Sequence, residues 1–69
     1  MKHIIIIESD KPLLDGNLVH FRAECIEACN KIAQKWVGSS FIETAFAKQS
    51  AVRAVCELYN VDTTFLDVN

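Results

Sequence analysis

Three cysteines and two histidines are the residues from which chemistry could be built in this chain of 69 residues. Cys25 and Cys29 stand four apart, His20 lies five before Cys25, and Cys56 is distant. A Cys-x3-Cys pair with a nearby His falls within the ligand spacing of tetrahedral zinc sites. Such sites usually come as two tight pairs on loops that bend the backbone around the metal, and only one pair exists here. Cys25 also invites a nucleophile reading, because a helix start would favour its thiolate and His20 could serve as base. If Val19 to Ala23 is extended, however, about five residues place His20 ~16 Å from Cys25, far beyond hydrogen-bond reach. The expectation is therefore no metal, no disulfide and no cofactor, with Cys25, Cys29 and Cys56 packed as small hydrophobes.

Other catalytic patterns are missing. Gly16 and Gly38 are the only glycines, 22 residues apart, so no glycine-rich phosphate cradle can form. No His-Glu-x-x-His, Gly-x-Ser-x-Gly or calcium-loop pattern occurs. The carboxylate pairs Glu24 with Glu27 and Asp62 with Asp67 have the placement of solvated or capping acids. A chain this short also leaves little material for a substrate pocket of ~300 Å³ or more once its core is filled. A non-enzymatic protein is expected. Trp36 and Tyr59 are residue types that anchor interfaces, yet a small domain tends to spend its aromatic area on the core.

Composition agrees with one folded domain over residues 1–69: 51% hydrophobic, 23% charged, two Gly and one Pro exclude a disordered chain. At this size folding removes only about 60% of the accessible surface, so a lone copy has a small core and self-association becomes attractive. Seven Lys and Arg against nine Asp and Glu leave −2, with the basic residues scattered. Direct nucleic-acid binding, which needs a basic stripe, is disfavoured. From Ala54 to Asn69 the only charged side chains are Glu57, Asp62 and Asp67. That acidic edge, with Arg22, supplies the candidate partner-binding residues. Ile4 to Ile7 is too short for a signal sequence or membrane span, and an odd number of cysteines suits a reducing cytoplasm.

The elements that must position these residues start with the isoleucine run. His3 to Glu8 reads as a strand, and four β-branched residues without alternation place it at the sheet centre, buried on both faces. Ser9 to Asn17 reads as a loop. Val19, Phe21 and Ala23 alternate with His20 and Arg22 as in a half-buried strand, although Leu18, Cys25, Cys29, Ile32 and Trp36 also fit one helical stripe starting at Asn17. The strand is favoured, followed by a helix from Ile26 to Val37 with Glu27 and Lys31 paired on its surface and Gly38 ending it. Ser40 to Glu43 has capping-box spacing, which would open a helix running to Tyr59; the strand-like composition of Phe41 to Phe46 favours a strand instead. Ser50 would then cap a short helix from Ala51 to Tyr59, with Asn60 ending it in the left-handed region. Thr63 to Val68 closes as a strand. The favoured fold is α+β in the order β-β-α-β-α-β, a mixed or antiparallel sheet with helices on one face; the alternative is β-α-α-β with two long helices.

The block Val19 to Ala23, then Ile26 to Val37, then Phe41 to Ala47 resembles, as an ordering of elements, short phage- and mobile-element-encoded proteins, among them anti-CRISPR proteins. Those proteins share no signature from which a functional residue could be carried over. The resemblance implies a small inhibitor or adaptor that binds a protein partner, such as a nucleic-acid-binding host complex, and blocks it stoichiometrically. The alternative is a self-assembling structural or regulatory module, completed as a homodimer.

Overall fold

The computed structural model describes residues 5–9, 13 and 15–68. Its element order is β1 (Ile5–Ser9), α1 (Asp15–Lys35), α2 (Phe41–Leu58) and β2 (Thr63–Val68). This is β-α-α-β, the alternative order, and the six-element layout is corrected to it.

The strand expected at Val19 to Ala23 lies inside α1. Three alternating residues lost to a longer stripe: Phe21, Cys25 and Cys29 recur every fourth residue, and all are buried. Val19, which the alternation would have faced inward, is 71% exposed. Between the buried positions stand good helix formers, Ala23, Glu24, Glu27 and Ala28. Glu27 and Lys31 pair at 3.5 Å as expected, although two exposed side chains gain little from it. Gly38 follows the helix with φ 89°, a left-handed position that glycine adopts without a Cβ penalty.

The strand expected from Phe41 is also a helix. Ser40 has extended backbone and its hydroxyl accepts from the Glu43 amide at 3.2 Å, while the Thr44 hydroxyl donates to the Ser40 carbonyl at 2.9 Å. The cap outweighed β-branched and aromatic composition, because it satisfies amides that any helix start would otherwise leave orphaned. Ser50, expected to cap a second helix, sits exposed within α2. Val52 and Cys56 continue the buried stripe one and two turns beyond Lys48. The helix closes with Tyr59 N–H donating to the Val55 carbonyl at 3.1 Å and Val61 N–H to Cys56 at 2.8 Å. Asn60 takes the left-handed conformation, φ 57°, as expected.

β1 pairs antiparallel with β2, Ile5 opposite Val68 and Ile7 opposite Leu66, with an irregularity between Glu8 and Ser9. The Ser9 hydroxyl donates to the Asp62 carbonyl at 2.8 Å and the Thr64 hydroxyl to the Glu8 carbonyl at 3.2 Å, closing that end. The isoleucine strand therefore pairs with the last segment of the chain. Nor is that strand central or fully buried. Among the described residues β1 has one neighbour, Ile5 and Ile7 are half-buried, and Ile6 on the opposite face is 45% exposed beside Phe65. Ile4 lies outside the described residues.

The core consists of Phe21, Cys25 and Cys29 from α1, Val52 and Cys56 from α2, and Val61, Leu66 and Val68. Gln49 ties the layers by donating to the Leu66 carbonyl at 2.6 Å. Strands of five and six residues reach ~17–20 Å, whereas the 21 residues of α1 run ~31 Å. The sheet is thus shorter than the helical layer it covers, and the molecule is elongated, 37 × 20 × 18 Å.

Candidate functional site

The cysteines are the first residues to place. All three are buried and free. Removal from water pushes the Cys25 thiol up from 9.0 to about 12, with Cys56, Cys29 and Glu24 adding to it. Burial also raises Cys29 against the opposing pull of the Lys48 ammonium, and it raises Cys56 against that of Arg53. Neutral buried thiols are weak nucleophiles and reluctant metal ligands. His20 is exposed on α1, and five residues of helix turn it well away from the face that carries Cys25. Among the described residues no group of three His, Cys, Asp or Glu could hold a metal ion.

Arg22, expected on the solvent side of a strand, projects instead from α1 onto an apolar groove of about 590 Å³ between that helix and β1. Ile5 and Ile7 line one wall; Leu18, Phe21 and Ile26 line the other. It is a half-open groove and not an enclosed cavity. The acidic candidates are not brought into one cluster. Glu57 stands exposed near the end of α2, Asp62 in the connection to β2, and Asp67 half-buried on the outer sheet face opposite Ile6. Five extended residues put Asp62 and Asp67 ~16 Å apart.

Sequence reasoning did not pick out one exposed apolar surface. It lies at the turn between the helices, beyond the reach of the sheet. No residue from 30 to 47 is buried, although that stretch carries Ile32, Trp36, Val37, Phe41, Ile42 and Phe46. Val37 is 83% exposed, Phe41 74%, Ile42 68% and Phe46 66%. On the flank of this tip Trp36, Ile32, Phe46, Ala47 and Ala51 line a shallow depression that Lys35 and Glu43 share. The available signal was the capping box itself: once Ser40 starts a helix, adjacent Phe41 and Ile42 cannot both face one partner.

No protein-family model, curated protein or solved structure matches this chain. Among the described residues no helix is long and apolar enough to cross a membrane.

Proposed function

We propose that the chain is a non-enzymatic protein-binding module, an inhibitor or adaptor that acts by stoichiometric contact through the tip of its helical hairpin. One observation carries the reading: the turn end of the hairpin buries no side chain while presenting Val37, Phe41, Ile42 and Phe46 to water. Burying a side chain of this kind is worth about 1.5–3 kcal/mol, and this fold leaves that gain unused. Several large apolar side chains exposed at one end of a small domain mark an interaction site, and aromatic residues are frequent anchors there. The partner is a protein offering an apolar cleft to a helical tip, with polar groups for Lys35 and Glu43. Glu57, Asp62 and Asp67 lie toward the other end and act as a diffuse acidic field that steers encounter with a basic, nucleic-acid-binding complex.

The experiment places a photo-crosslinking phenylalanine analogue at position 46 in the source cell and identifies the crosslinked protein. A Phe46→Asp, Ile42→Asp variant with unchanged circular dichroism should lose that protein from affinity capture. Equal capture by the native and doubly substituted chains would remove the tip from the mechanism.

A further inference from the structure

We infer that the groove between α1 and β1 binds a single-chain amphiphile with an anionic head, an alkyl carboxylate whose tail lies along the apolar floor and whose carboxylate meets Arg22. The groove is a different part of the molecule from the hairpin tip, and the inference does not rest on the function proposed for the tip.

The groove exists because the two halves of the fold close unequally. Cα atoms of α2 and β2 approach within 8 Å of one another, whereas among the described residues none of β1 comes that near to α1. The space held open is about 590 Å³, inside the ~300–1,000 Å³ range of small-molecule sites. Phe21, Cys25 and Val61, all buried, form its floor, so it is continuous with the core. Leu18, Arg22 and Ile26 follow one another a turn apart along α1, which gives the groove a length of ~12 Å.

The lining selects the occupant. Of the residues that face the groove only Arg22 is charged, and the other polar one, Ser9, gives its hydroxyl to the Asp62 carbonyl. A peptide segment would bring amide groups against side chains that cannot satisfy them, a cost that a hydrocarbon tail does not incur. A neutral tail would leave the guanidinium unused, and a cationic head would be repelled by it. Arg22 is exposed and stands one turn from both Leu18 and Ile26, so it meets a head group at the water's edge while the tail runs inward. Its guanidinium offers a carboxylate two parallel N–H donors, which fixes the orientation of the ligand as well as holding it.

The probes are decanoate, decyltrimethylammonium and vesicles of anionic phospholipid, each added to the intact chain and followed by backbone amide chemical shifts. Decanoate below its micelle concentration should bind saturably and raise the melting temperature. It should move the resonances of Ile7, Leu18, Phe21 and Ile26 and leave those of Phe41 and Phe46 in place. Each CH2 removed from the tail should weaken binding roughly two- to fourfold, fourfold being the full effect of burying a methylene. Arg22→Gln, at an exposed position, should retain the circular dichroism of the native chain and weaken decanoate roughly three- to tenfold. Ile26→Glu, at a position 49% exposed, should also fold and weaken decanoate by setting a like charge beside the head. Decyltrimethylammonium should bind more weakly than decanoate to the native chain. Absence of saturable binding at millimolar decanoate overturns the inference, as does equal affinity for the cationic amphiphile. So do shifts centred on Phe41 and Phe46, decanoate binding untouched by both substitutions, or affinity for the vesicles without affinity for free decanoate.

Discussion

The rings of Phe21 and Tyr59 meet edge to face, centroids 5.5 Å apart and planes at 70°, joining the early turns of α1 to the end of α2. Beside them the Glu24 carboxyl accepts from the Tyr59 hydroxyl and holds the phenol above its ordinary pKa, since ionisation would set two negative charges side by side. Glu24 precedes Cys25, so this contact borders the three buried thiols.

Those thiols set how the fold answers alkali. Cys25 is raised from 9.0 to about 12 in the folded chain, and Cys29, Cys56 and Tyr59 move the same way. Each group resists ionisation more when folded than when unfolded. The stability it contributes is whole below the unfolded pKa and is lost as pH rises through the folded one. Urea midpoints should therefore stay level through neutrality and fall steadily from about pH 9 toward 12. A thiol reagent at pH 8 should react with all three cysteines only after denaturant is added; rapid labelling of the native chain would contradict their burial.

Two serines separate the competing readings of the second half. Ser40→Ala removes the acceptor for the Glu43 amide and should cost about 1 kcal/mol. Ser50→Ala, exposed within the helix, should be neutral or slightly stabilising. Chemical denaturation of the two variants decides it, and a larger loss at Ser50 would restore the short helix that was expected to begin there.

The sheet register predicts unequal responses from adjacent isoleucines. Ile5 faces the helices opposite Val68, so Ile5→Asp sets a charge against the core and should leave the chain unfolded or greatly weakened. Ile6 faces outward opposite Asp67, and Ile6→Asp should leave a folded chain by circular dichroism. Equal damage from both would mean that the outer face is covered within a single copy.

At the hairpin tip, folding and binding should come apart. Phe46→Ser is expected to change unfolding free energy by no more than ~0.5 kcal/mol, as for ordinary surface substitutions. Phe21→Ala should cost about 3–5 kcal/mol through the space it empties in the core. Thermal melts of both test this, and a Phe46→Ser chain that melts as early as Phe21→Ala would place the tip in the core.

Local signals proved readable where one residue type carries one conformation. Gly38 and Asn60 both adopt the left-handed conformations expected of them, and Thr63 to Val68 is the closing strand. The helix that Ser40 opens is legible in its capping-box spacing, against the strand-like composition of Phe41 to Phe46. Val19 to Ala23 was misleading because three residues satisfy a period of two and a period near four almost equally; the stripe through Phe21, Cys25 and Cys29 settles it only over several turns. The partner of β1 had no local signal at all. Pairing Ile5 with Val68 depends on where two helices deliver the chain, not on any residue near Ile5. The same holds for the site: the charge of Arg22 is legible in the sequence, but its place on a groove depends on β1 lying across from α1, and the bare tip depends on the sheet being too short.

The joining of β1 to β2 has a kinetic consequence. The Ser9 hydroxyl reaches the Asp62 carbonyl across 53 residues of chain, and closing an unstructured loop of that length costs about 3–4 kcal/mol of entropy before any contact repays it. The helical hairpin needs only the short turn around Gly38 to bring its two halves together. It should therefore form first and draw in the distant strands, so that the sheet assembles last and the refolding rate measures how often the two strands find one another. Until they do, the Cys29 and Val52 face of the hairpin stands open to solvent, and that interval is when the chain is most exposed to misassociation.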